Sequence, residues 1–181
     1  QRARELDCDG ACYPIATLNG DEACTLWQHA SLQMQPSTAV AYAIVLYADM
    51  TGDRQFLCHE GIEMLVEISR YVVSRGAWNN DHTGFGFWGV MGPDEFHMMV
   101  NNDFYTNFMG KKTLEETLRV LRDMPAGACM VSPEEQAQWQ EIAQHMIFHR
   151  DERGVLEQQD GFFTLPHLDI RTISAREFPL Y

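Results

Sequence analysis

The sequence has no apolar run approaching the ~20 residues that a membrane-spanning helix needs, which argues against an integral membrane protein. Gln1-Arg2-Ala3-Arg4-Glu5-Leu6 opens without an initiator Met and without the apolar core of a secretory signal. The chain is therefore read as the interior of a longer cytoplasmic protein. Basic residues are scarce: 13 Lys plus Arg stand against 26 Asp plus Glu in 181 residues, for a formal charge of −13. That balance disfavours nucleic acid and anionic membranes as partners, and it makes any anionic co-substrate depend on locally placed donors. Cysteine is sparse and odd in number: Cys8, Cys12, Cys24, Cys58 and Cys129. These form neither a disulfide framework nor a second metal-binding pair, and they read as free thiols in a reducing compartment. Repeats, low-complexity tracts and linkers are missing, as are metal and cofactor motifs. Thr83-Gly84-Phe85-Gly86 is too aromatic for a phosphate cradle and lacks the following Lys.

What is present fits one domain, all-α, with short extended segments in its loops. Four helices can be read from apolar spacing and caps. The first follows Pro36-Ser37, with Val40, Ala41, Ile44, Val45 and Ala48 in register, and stops at Thr51-Gly52. The second runs from about Arg54 to Ser74 on a stripe of Ile62, Leu65, Val66, Ser69, Val72 and Val73. The third begins after Asn101-Asn102 and stops before Pro125. Phe104, Phe108, Leu118 and Leu121 are its apolar residues, and Lys111-Glu115-Arg119 form a charge ladder on its wet side. The fourth starts with Ser132 as N-cap, Pro133 at the first helical position and Glu135 completing a capping box. Trp139, Ile142, Ala143 and Met146 face inward. Thr83 to Val90 alternates glycines and aromatics like a short strand, and residues 154–165 also read as extended.

The stretch with most chemistry is Gly92-Pro93-Asp94-Glu95-Phe96-His97-Met98-Met99-Val100-Asn101-Asn102-Asp103-Phe104-Tyr105-Thr106-Asn107. It places Glu95 in a turn that can hold a carboxyl group at the rim of a cleft. Aromatic neighbours are expected to desolvate that group and raise its pKa, which suits a general acid. Taken alone, an Asp-Glu pair reads more readily as a solvated surface turn.

This string resembles the acid-bearing motif of glycoside hydrolase family 65, the inverting disaccharide phosphorylases, through Gly92, Pro93, Asp94, Glu95, Phe96, His97, Val100, Asn102, Tyr105, Thr106 and Asn107. The resemblance extends through Asn19 to Cys24, Trp27, Ala41 to Ile44, Thr51-Gly52-Asp53, Gly61 to Glu67, Glu157 to Phe163 and Phe178 to Tyr181. Its wording is closest to nigerose-type and kojibiose-type members, with maltose phosphorylase nearby. It implies that residues 1–181 are part of an (α/α)6 barrel catalytic domain with its active site in the loops at one end. The chain supplies roughly four to six of the barrel's helices, so helix faces would lack partners and marginal stability alone is expected.

The implied reaction is inverting phosphorolysis of an α-linked glucosyl disaccharide to β-glucose 1-phosphate plus a sugar. Glu95 is the general acid and inorganic phosphate the nucleophile, with no cofactor and no metal. Disaccharide and phosphate are the partners, and the full-length protein is expected as a homodimer. Asp94, His97, Asn102, Trp27 and Gln28 are the implied substrate-binding residues. Trp27 would stack on a sugar face, and Gln28 stands where some members carry Glu. Asn102 and Asn107 have two readings: capping of the third helix, favoured for Asn102, or recognition of sugar hydroxyls. His97 is equally readable as a structural histidine. An inverting hydrolase would need a second carboxylate to activate water; Glu22 is the best candidate, although it reads equally well as a loop acid. An inactive truncated helical piece is the other alternative.

Overall fold

Gly52 ends the first long helix because the chain there turns into the left-handed region, at φ 71°, which glycine enters without steric penalty. The computed structural model describes residues 1–25, 27–124 and 131–177; the side chains of Trp27, Gln28 and Glu177 fall outside that description. Cys129 and the Phe178–Tyr181 stretch fall outside it as well. The described cysteines are free thiols.

The helices are α1 (Arg2–Glu5), α2 (Trp27–Leu32), α3 (Gln35–Thr51), α4 (Arg54–Phe56), α5 (Ile62–Arg75), α6 (Phe104–Arg122) and α7 (Pro133–Gln144). A two-stranded hairpin pairs β1 (Ala77–Trp78) with β2 (Phe85–Gly86) antiparallel, Ala77 opposite Gly86 and Trp78 opposite Phe85. The mostly helical chain has the character of part of an (α/α)6 barrel. Among the described residues no helix is long and apolar enough to cross a membrane.

The helix spacings hold with three corrections. Between α4 and α5 the backbone passes through a π-helical segment, Leu57–Gly61, so the second helix is continuous but locally underwound by one wider turn. Its buried face is also broader than one stripe. Ile68 and Tyr71 are as buried as Leu65 and Val72, because α5 packs on α3, α6 and α7 while the loop at Gly10-Ala11 covers another side. The charge ladder on α6 is rearranged: Lys111 pairs with Glu115, but Arg119 pairs with Glu116 and reaches across to Asp49 on α3. Residues 154–165 are not a strand. Positive φ at Gly154 and Gly161 bends them, leaving one bridge at Leu156 and a 3-10 turn at Phe162–Thr164.

α6 is the central rod, packed on α3, α5 and α7. Leu114, Leu118 and Leu121 bury their side chains there, and the Thr117 hydroxyl accepts from Ser69 at 2.9 Å while donating to Thr113 O. Burying this pair is tolerable because both hydroxyls are satisfied. Trp139, Ile142, Ala143 and Met146 are buried as the spacing predicts, and the Ser132 oxygen accepts from Glu135 N at the start of α7. On α3 the opposite face keeps Tyr42, Leu46, Tyr47 and Met50 exposed.

Candidate active site

The acid turn is a loop closed at its neck. Val90 and Val100 exchange two backbone hydrogen bonds, each 2.9 Å, so residues 91–99 form a ring standing on the core. Val90 is fully buried. The ring is fixed on one side by α2 and the start of α3: Met91 N donates to Leu32 O at 3.1 Å, and the Gln35 amide donates to Met91 O at 2.9 Å. Arg75 steadies the approach, donating to Trp88 O and Gly89 O.

Inside the ring, Asp94 organises the turn. Its Oδ1 accepts from Phe96 N, and its Oδ2 accepts from the Gln158 amide at 2.8 Å and pairs with His97 Nδ1 at 2.7 Å. Burial acts to raise the pKa of Asp94, but the donors from Gln158, His97 and Phe96 outweigh it, and the net direction is down. Asp94 therefore stands as an ionised anchor for the turn, and His97 keeps a partly exposed ring with Nδ1 committed to Asp94. Phe162 lies edge-on to His97, with ring centroids 6.3 Å apart.

Glu95 sits at the crown of the ring. Its aromatic neighbour does not cover it: Phe96 is 70% exposed and the Glu95 side chain 55%. The expected rise in its pKa is overturned in this chain. The Gln33 amide donates to Oε1 at 2.9 Å and His29 Nε2 lies 3.3 Å from Oε2; the Gln33 bond is the largest influence, and together with His29 it lowers the pKa against the opposing effect of burial. The sequence pattern assigned no role to His29 or to Gln33. No local signal marks either, since Gln33 is 62 positions from Glu95 in the chain. The Trp27 and Gln28 side chains lie outside the described residues; their backbone opens α2.

Asn102 is not the cap of α6 and its amide is already occupied. It adopts φ 51°, a left-handed conformation that Asn tolerates, and it is 7% exposed. Its Nδ2 donates to Asp160 Oδ2 at 2.8 Å, and its oxygen accepts from Asn107. The cap is Asp103, whose Oδ1 accepts from Thr106 N and from the Thr106 hydroxyl. Burial raises the pKa of Asp103 despite those donors, with the nearby Asp94 charge adding to the rise. Asn107 is fully buried and donates to Ile147 O, which ties α6 to the segment after α7.

Glu22 is a loop-builder. Its carboxylate accepts from Ile15 N, Ala16 N and Cys24 N. Burial opposes ionisation there, but those three donors and the Arg2 charge prevail and hold its pKa down. A cavity of about 620 Å³ opens beside the acid turn, with Pro93, Asp94, Phe104, Tyr105, Gln158 and Phe162 among its lining. Among the described residues no three His, Cys, Asp or Glu side chains converge as a metal set.

Helix pairs joined by long loops, with a carboxyl group presented at the crown of one of them, make this a segment of a larger helical fold of the (α/α)6 type. The chain belongs to glycosyl hydrolase family 65: residues 1–180 match that family's central catalytic domain. It is similar to maltose phosphorylase of Bacillus subtilis (strain 168), with 33% identity over 100% of this chain and 24% of the relative. It is also similar to α,α-trehalose phosphorylase of Thermoanaerobacter brockii, with 29% identity over 99% of this chain and 25% of the relative. A solved structure of a candidate kojibiose phosphorylase from the human microbiome superposes with a TM-score of 0.91 at 47% identity, covering 99% of this chain and 28% of that one. The chain thus spans about a quarter of the length of the relatives it matches.

Proposed function

We propose that the protein carrying this chain is an inverting phosphorylase of an α-linked glucosyl disaccharide, releasing β-glucose 1-phosphate and a free sugar. Glu95 protonates the leaving glycosidic oxygen, and inorganic phosphate attacks the opposite face of the sugar. The observation that carries this reading is the placement of Glu95 at the crown of a ring clamped at Val90 and Val100, in a chain whose named relatives are phosphorylases. A phosphorylase needs only the acid from the protein, since phosphate takes the place of activated water. Glu22, the sequence candidate for a water-activating base, spends its oxygens on three backbone amides, which favours phosphate over water as nucleophile.

Asp94 and His97 shape the acid's turn, and the exposed edge of the His97 ring is placed to meet a sugar hydroxyl. Phe104, Tyr105 and Phe162 give the adjoining cavity aromatic surfaces suited to a sugar ring. Trp27 and Gln28 remain assigned to substrate, and Asn102 acts through the fold. Glu95 rests as a carboxylate in this chain. Covering it with substrate penalises the charge and raises the proton affinity that an acid needs.

The test is glucose 1-phosphate release by the full-length enzyme from a panel of α-linked glucose disaccharides, with and without phosphate. Phosphate-dependent release that falls by about 10²–10⁴ in Glu95→Gln is expected. Glucose release independent of phosphate would make the protein a hydrolase, and full activity in Glu95→Gln would remove the acid assignment.

A further inference from the structure

The Glu95 carboxylate receives its side-chain donors from outside its own turn, and both come from one helical edge. His29 and Gln33 stand four residues apart, His29 within α2 and Gln33 just past its end, so their side chains project to one side. Gln33 reaches Oε1 at 2.9 Å and His29 reaches Oε2 at 3.3 Å. We propose that His29 and Gln33 are positioning residues for the general acid: they hold the Glu95 carboxylate in one orientation and stabilise its charged form. This rests on the reading of Glu95 as the acid.

Three observations support it. First, donor and acceptor share one frame, since Leu32 O at the end of α2 accepts from Met91 N in the acid ring, and Arg2 donates to Ala30 O in the middle of α2. Second, His29 Nδ1 is buried with no partner among the described residues. A proton on Nδ1 would bury an unmatched N–H, so the favoured tautomer carries its proton on Nε2 and donates to Glu95. Oε2 is then a standing acceptor of that N–H, as Oε1 is of the Gln33 amide. Third, as the proton leaves Glu95 its charge grows and both N–H bonds strengthen. Interactions that strengthen along the reaction lower its barrier.

The other titratable groups packed around the ring are engaged elsewhere. Asp94 and His97 bond each other, Asp103 caps α6, Glu157 accepts from Phe163 N, and Asp160 pairs with His149.

The experiment is the pH dependence of kcat/KM for phosphorolysis by the full-length enzyme, for His29→Leu and Gln33→Met. Activity requires protonated Glu95 and falls as pH rises through its pKa. Losing a donor raises that pKa, so the basic limb is expected to move to higher pH by about half to one unit per donor. His29→Gln, which keeps an N–H, is expected to move it back. A basic limb that stays in place in both single variants would overturn the proposal, even if kcat or KM changed. If one variant does not fold, the other decides. Independently of turnover, the carboxyl ¹³C titration of Glu95, identified by its absence in Glu95→Gln, should shift upward in the same variants; no shift would also overturn it. Full activity of Glu95→Gln with an upward ¹³C shift in the donor variants would sink the acid assignment while leaving the contact established.

Discussion

Gly92 lies flat against the Asp103 carboxylate, so close that a β-carbon at Gly92 would overlap both carboxylate oxygens. The entry to the acid turn and the first turn of α6 are therefore packed face to face with no side chain between them. Gly92→Ala is expected to push Asp103 off its cap. The cost in stability is about 1–2 kcal/mol, the worth of a buried N-cap, and phosphorolysis should fall with it because the ring carrying Glu95 shifts. Thermal unfolding and activity assays on the same preparation check this. An unchanged Tm with unchanged activity would show that the contact relaxes freely.

Asp103 itself predicts a pH dependence. Its folded pKa is raised by burial above the ordinary Asp value of 3.8. A raised folded pKa means that the native state binds the proton more tightly than the unfolded chain does. The stabilising contribution is complete below the ordinary value and is lost as pH rises through the folded one. Asp103→Asn keeps a capping oxygen without the charge. Relative to wild type, this variant is expected to gain stability between pH 4 and pH 7, measured by denaturant unfolding at both values. A constant difference between the two proteins would argue that Asp103 titrates normally.

Asn102 combines a left-handed backbone with a filled amide. Its oxygen stands so near Gly86 that a β-carbon there would overlap it. Asn102→Gly keeps the backbone and loses the bonds to Asp160 and Asn107, whereas Asn102→Ala loses both. The expected costs are about 1–2 kcal/mol for the glycine variant and about 1 kcal/mol more for alanine. Chemical denaturation of the pair separates backbone strain from hydrogen bonding, and equal losses would show that conformation is not part of its role.

Asp94→Asn removes the charge that anchors both His97 and Gln158. Phosphorolysis is expected to drop by about 10-fold or more, mostly in kcat, because a misplaced acid costs rate before it costs affinity. Unchanged kinetics in this variant would mean that the neck at Val90 and Val100 alone sets the position of Glu95.

Much of the helical frame was legible because local chemistry and burial agree along it. Ser132 and Pro133 start α7, Gly52 stops α3, and the apolar spacing of Ala41, Ile44, Val45 and Ala48 buries those residues. The π segment at Leu57–Gly61 left no trace, since one wider turn changes neither composition nor caps. Ile68 and Tyr71 were missed because their partners are distant in sequence. At the site, the turn that carries Glu95 was legible, but the surroundings of its carboxyl group were not. Adjacent aromatics suggested burial, yet Phe96 is largely exposed, and the groups bonding Glu95 come from His29 and Gln33. Asn102 looked like a cap one position early, because an Asn before an Asp offers two cap residues and only the backbone decides between them.

The clasp between Val90 and Val100 also means that loop length, more than packing, sets how far the acid stands above the helices. The crown of the ring, at Phe96, Met98 and Met99, is exposed. One residue inserted between Met91 and Met99 would displace the carboxyl group by up to about 3.5 Å, the span of a single extended residue, while every core helix stayed as it is. Damage of that kind would be silent to melting curves and plain to kinetics. Spacing within this ring is thus the register that sets the height of the Glu95 carboxyl group above the helices.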